Sequence, residues 1–331
     1  MTSAVLLVEQ AGPLTTIQDA GRFGHLRHGV SWSGPVEPLG FAAARTAIAS
    51  RGAAIELSHG GIALRCVEGA VTFALAGGDF TATIDGAPLG GWTTGVLTAG
   101  ARLVVRDGAA GNWATLALGG VPNCPAWLGS SATLALAGLG GGRLVVGDRL
   151  TVDADPIGDA VARPFAPPPA ETGPIRVVLG PQLDAFAPET VAALTGADFT
   201  AAPAFDRMGM VLTGPPLVPL ALTMLSSPTI RGAIQVNGAG TATILLADHQ
   251  TTGGYPRIAT VISADLPRAA QLRPGQPLRF VAISAAEAVA IARAAALRRT
   301  EWLKRVATAD TLLDRLLAAN LIDGVVDARE E

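Results

Sequence analysis

Short runs of alternating apolar and polar residues, punctuated by turns roughly every 8–12 residues, dominate the first half of the chain. They predict strands at 5–8, 55–57, 62–64, 71–75, 82–84 and 103–105, with 113–118 continuing the set. Asp85-Gly86 is a two-residue hairpin signal between two of them. This spacing predicts a barrel or sandwich rather than strand–helix–strand units. One helical pattern interrupts it, with Leu39, Ala42, Ala43, Ala47 and Ile48 on one face of residues 39–50.

Five prolines fall between Pro164 and Pro174. Residues 156–174 therefore read as a linker, separating an N-terminal β-barrel lobe (1–155) from a C-terminal one (175–283). The second lobe opens on a strand at 175–179, a Gly180-Pro181-Gln182 turn and a short helix at 187–194. Residues 212–225 are apolar, but Pro215, Pro216 and Pro219 break them, which excludes a spanning helix there. Leu-x-x-Gly-x-x-Leu closes both strand sets, at Leu97–Leu103 and Leu272–Leu278, as two related lobes would. Residues 284–331 read as helices. Ser284 and Glu287 form a capping box for a helix over 285–306, and a second, with Leu312, Leu313, Leu316 and Leu317 on one face, follows a break at 308–310. Packing is the expected role of both.

Composition narrows the function. At 49% apolar and 15% charged residues, with 40 Gly and 23 Pro, the chain is a well-buried, turn-rich globule. A net charge of −3 gives no reason to expect nucleic acid or an anionic membrane. Lys304 is the only lysine. No Gly-Lys-Ser/Thr phosphate loop can exist, and no lysine sits where it would carry biotin or a Schiff base. Gly140-Gly141-Gly142 is weak evidence for phosphate binding, because no helix clearly follows it. Cys66 and Cys124 lack metal-ligand spacing, no metal site is expected, and the N-terminus lacks a signal-peptide pattern. A reduced, cytoplasmic protein is the expectation.

The densest polar chemistry lies at Asp248-His249-Gln250-Thr251-Thr252-Gly253-Gly254-Tyr255, between two strand-like runs. Tyr255 is the only tyrosine. Paired glycines permit close backbone approach, so the stretch reads either as a ligand-holding loop or as a glycine-rich hairpin plugged by a tyrosine. In 230–237, Ile234 and Val236 alternate with Gln235 and Asn237, which then face the other side. With Asp206 and Arg207, the residues Gln235, Asp248, Gln250 and Tyr255 are expected to converge at one barrel mouth. In the first lobe Gln18, Asp19, Arg22 and Ser33 are further contact candidates, with Asp19 and Arg22 spaced for a local turn ion pair.

Four stretches carry a resemblance: residues 12–22 (GPLTTIQDAGR), Asp206-Arg207-Met208-Gly209, Gly232-Ala233-Ile234-Gln235-Val236, and residues 248–255. In this order they resemble the family that includes the C subunit of bacterial 5-oxoprolinase, allophanate hydrolase subunit 2 and the C-terminal half of the urea carboxylase carboxyltransferase domain. The resemblance implies a mainly β fold of two cyclophilin-like barrels. It also implies subunit-B-like and subunit-A-like partners, and ATP-dependent opening of 5-oxo-L-proline to L-glutamate. ATP would be a co-substrate that activates the lactam oxygen. On this reading Gln235, Gln250, Thr251, Thr252, Gly253, Gly254, Asp206 and Arg207 bind substrate. Asp248 and Tyr255 move a proton or orient water. Phe205, Met210, Ser227, Arg231, Asn237 and His249 depart from the family pattern, removing an acid, a phenol and a guanidinium from one wall. Two other functions fit the same fold: half of a biotin-dependent carboxyltransferase acting on urea or a similar amide, and a non-catalytic protein that complexes a subunit-B-like partner.

Overall fold

A computed structural model describes residues 2–157, 162–222 and 224–308. The chain is mainly β. The first strand, Thr2–Ala11, pairs antiparallel with Arg149–Ala154 on one side and Ile62–Glu68 on the other. The two ends of this strand set thus meet within one seven-stranded sheet, which faces a five-stranded sheet running from Thr16–Gln18 to Thr93–Thr98. Leu6, Val8, Leu57, Leu64, Phe73, Leu103 and Leu116 fill the space between them, each 1% exposed or less. The Asp85-Gly86 signal is a tight hairpin between Thr81–Ile84 and Ala87–Gly90. Both turn residues have positive φ, 48° and 86°, matching the right-handed twist of the flanking strands.

Helix α1 (Pro38–Ala47) covers one face of this lobe. Pro38 suits its first position, and the Glu37 carboxylate caps it, accepting from Leu39 N at 2.8 Å and Gly40 N at 2.6 Å. An eight-stranded sheet forms the second lobe, with a short helix α2 (Pro188–Gly196) between its first two strands in sequence. All its pairings are antiparallel except Ile175–Leu179 with Phe280–Ala282. Helix α3 (Leu266–Ala270), too short to leave a periodic signal, sits beside it. The Leu-x-x-Gly-x-x-Leu match is local: Gly100 and Gly275 are both left-handed, at 88° and 82°. The first joins two strands, whereas the second joins α3 to a strand.

The lobes share a core. Trp113 and Val36, from the first strand set, are fully buried among Phe199, Met210, Ile234 and Leu246 of the second. Gln271 locks this seam, its Oε1 accepting from Asn112 N and Trp113 N and its Nε2 donating to the Trp113 carbonyl. Helix α4 (Ala285–Ala307) carries the expected capping box and returns to the first lobe, where Trp302 and Val306 pack with Phe41, Ala44 and Phe165. The second C-terminal helix read from Leu312, Leu313, Leu316 and Leu317 lies outside the described residues.

Candidate functional site

One face of the second sheet forms an open cleft of about 510 Å³. The strand Ala233–Val236 puts Ile234 and Val236 into the core, and the alternation turns Gln235 and Asn237 to the cleft. Asp206, Gln250 and Tyr255 join them over a floor of Phe205, Met208, Val211 and Leu245. Gln250 Nε2 donates to Gln235 Oε1 at 2.7 Å. Gln235 Nε2 has no hydrogen-bond partner among the described residues, although Gln235 is only 7% exposed. A buried donor left unpaired costs about 1–3 kcal/mol, so it marks a place where an acceptor belongs.

The glycine pair makes the approach possible. A Cβ at Gly253 would lie 2.5 Å from Gln235 Nε2. Thr252–Gly253 pairs with Ser227–Pro228 as a two-stranded cover, and Thr229 N donates to the Thr251 carbonyl. Thr251, Thr252, Gly253 and Gly254 therefore build the hairpin that holds Gln250 and Tyr255, and they are not part of the cleft wall. Asp206 stands exposed at the rim, its Oδ1 accepting from Met208 N and Gly209 N. Tyr255 is half exposed.

Arg207 and Asp248 do not reach the mouth, contrary to the convergence expected from sequence. They are 3% and 5% exposed. Arg207 grips both Asp248 oxygens, Nε to Oδ2 at 2.9 Å and Nη2 to Oδ1 at 3.0 Å. It also donates to Glu56 and to the Gly34 carbonyl in the first lobe. With both oxygens engaged by Arg207 and no place in the cleft lining, Asp248 anchors the seam in this structure. Its neighbour His249 is held from the other side, where Ser31 Oγ donates to the His249 carbonyl at 2.5 Å. The first lobe thus fixes the backbone that delivers Gln250 directly at Ser31 and, through Arg207, at Glu56 and the Gly34 carbonyl.

Electrostatics tightens this seam. Burial works against the Arg207 charge, but Glu56 and Asp248 outweigh it and hold its pKa above the ordinary guanidinium value. Burial raises Glu56, partly offset by Arg207. It pushes Glu37 up to about 7 and lowers Arg231 to about 10. Burial also lowers the His249 imidazole, partly offset by its hydrogen bond to the Gln250 carbonyl. Sequence reasoning missed Glu56 and Glu37. The signal for Glu56 was present: an acid between Ile55 and Leu57 in a buried strand requires a partner.

The first-lobe candidates are elsewhere. Asp19 and Arg22 form no ion pair; each pins the loop after Pro122 independently. Asp19 accepts from Gly21 N, Ser130 Oγ and Ser131 N, while Arg22 donates to the carbonyls of Trp127, Ser130 and Ala132. Arg22 also lies over the Trp127 ring at 5.0 Å. Gln18 Nε2 donates to Thr16 Oγ1 and the Thr133 carbonyl. Ser33, at φ 55°, is buried. None of the four lines the cleft. No group of residues with metal-ligand geometry occurs among the described residues, nor does a helix long and apolar enough to cross a membrane.

Two barrels, a shared seam and a polar cleft beside a glycine hairpin define the class. The family model for the carboxyltransferase domain, subdomains A and B, matches residues 28–282, and the chain belongs to that family. It is 34% identical over 284 residues to the 5-oxoprolinase C subunit of Haemophilus influenzae, covering 84% of this chain and 91% of that one. The same-named protein of Escherichia coli is 32% identical over 296 residues, with 86% and 93% covered. Among solved structures, the K. lactis urea amidolyase superposes with a TM-score of 0.79 at 25% identity. That match covers 91% of this chain but 20% of the amidolyase, so this chain corresponds to a minor part of that enzyme's length.

Proposed function

We propose that this chain is the C-type component of a 5-oxoprolinase assembly, which opens 5-oxo-L-proline to L-glutamate with ATP as co-substrate. The observation that carries the reading is the Gln235–Gln250 amide pair with its unpartnered N–H beside the cleft. That arrangement suits a lactam, whose carbonyl accepts from Gln235 and whose ring rests on Phe205, Met208 and Val211. The Tyr255 hydroxyl is the phenolic proton donor on this wall. ATP is not held by a lysine phosphate loop in this chain, so subunit-A-like and subunit-B-like partners share that work. The test is reconstitution with both partners and assay of glutamate release from 5-oxoproline. ATP-dependent release that disappears when this chain is omitted supports the reading; release without this chain overturns it.

A second reading rests on the family model itself. A cleft that takes a lactam also fits the ureido ring of a carboxybiotin carried by another chain, with urea or a similar amide as acceptor. Carboxybiotin-dependent transfer to urea in place of glutamate release would favour it.

A further inference from the structure

The cleft has an unusual charge pattern for a ligand that bears a carboxylate. Its polar wall is made of neutral groups, Gln235, Gln250, Asn237, Thr241, Thr243 and Tyr255, together with one acid, Asp206. Among the described residues, no arginine, lysine or histidine lines it. Three guanidiniums lie nearby without lining the cleft, and Arg231 directs its Nη2 to the Val36 carbonyl. Arg207 is held by Asp248, Glu56 and the Gly34 carbonyl beneath the wall. Arg257 is held by Gln182, Ser227 and the Pro228 carbonyl. Carboxylates are ordinarily recognised by an arginine fork or by several converging N–H groups. A carboxylate in this cleft would meet no arginine fork, only neutral donors such as the Gln235 amide, and would sit in the field of Asp206.

We propose, on the cleft assignment made above, that this chain supplies a neutral carboxamide site. It holds the amide face of its ligand, discriminates against a carboxylate on that ligand, and leaves the carboxylate to a cation on a partner chain. The favoured ligand class for the chain alone is uncharged lactams, amides and ureas. The partner completes the site for an acidic lactam.

Tyr255 provides the readout. As the only tyrosine it gives a single signal when the chain carries 3-fluorotyrosine, and it lies on the cleft wall. The full chain is titrated with 2-pyrrolidinone, the lactam without the acid, and with 5-oxo-L-prolinate. The expected midpoint for 2-pyrrolidinone is lower by roughly two- to fivefold, the range of one solvent-exposed charge interaction. Asp206→Asn keeps the Oδ1 acceptor for Met208 N and Gly209 N, so the turn persists, and it is expected to bring the two midpoints together. Tighter binding of 5-oxo-L-prolinate, or a ratio untouched by Asp206→Asn, overturns the proposal. Absence of a shift with either ligand overturns it together with the cleft assignment. Preferential 2-pyrrolidinone binding, with no glutamate release from the reconstituted assembly, overturns the oxoprolinase reading alone.

Discussion

Removing the Arg207 guanidinium tests the seam that carries the cleft. Arg207→Met keeps most of the side-chain volume but strips the cation that Asp248 and Glu56 share, two acids that are 5% and 2% exposed. If this were a surface ion pair, the loss would be about 0–1 kcal/mol. Breaking a buried pair by deleting one partner costs about 3–5 kcal/mol, and here two carboxylates lose their partner, so the upper part of that range is expected. The pH dependence follows from the sign of the shifts. Without the cation, burial raises the Glu56 carboxyl further above its unfolded pKa of about 4. Stability is therefore retained at pH below that value and lost as pH rises through the folded one. Urea unfolding is followed by tryptophan fluorescence, to which the seam residue Trp113, packed on Phe205 with ring centroids 5.9 Å apart, contributes. The loss should be largest near about pH 8 and smaller near about pH 5. A loss below about 1 kcal/mol at both, or one that grows toward acid, refutes the reasoning.

Glu37 makes a related prediction in the unmodified seam. Its pKa of about 7 lies above the ordinary 4.5, so it contributes stability below pH 4.5 that is lost as pH rises through about 7. The span corresponds to something on the order of 3 kcal/mol, and Glu37→Gln should flatten the unfolding free energy between these values, with a pH-independent loss because Gln keeps only one of the two cap acceptors. An unchanged slope contradicts it. Gly253→Ala should displace the Gln235 amide, because the new methyl would lie 2.5 Å from Nε2. The expected result is several-fold weaker binding of 2-pyrrolidinone, with stability falling by about 1–3 kcal/mol. Unaltered binding would remove Gln235 from the site.

The sequence made the fold legible where period and turn chemistry agree. The Asp85-Gly86 hairpin, the α4 capping box and the alternation at 234–237 are local devices, and each appears as its residues dictate. The site was only partly legible. Gln235 on its strand and Gln250 in the loop before the Thr252–Gly253 hairpin meet over one face of the sheet, and their polarity marked them. Asp248 and Arg207 looked equally chemical, yet they turn inward, because the acid that Arg207 also binds, Glu56, lies 151 residues away in the first lobe. A linear pattern carries no information about such pairing. Asp19 and Arg22 fail as a pair for the same reason. Loop backbone near residue 130, remote in sequence, offers each of them better hydrogen bonds than they offer each other.

The most direct test of the whole account is Gln250→Ala in the reconstituted assembly. Gln250 lies on the cleft wall and donates to Gln235, while the anchors on either side of it, Asp248 and the His249 carbonyl, do not involve its side chain. The account predicts that the variant still co-purifies with both partners while ATP-dependent glutamate release from 5-oxoproline falls at least about tenfold, the cost of one lost orienting hydrogen bond. Release at the unmodified rate from an intact assembly would contradict it and remove this cleft from the reaction.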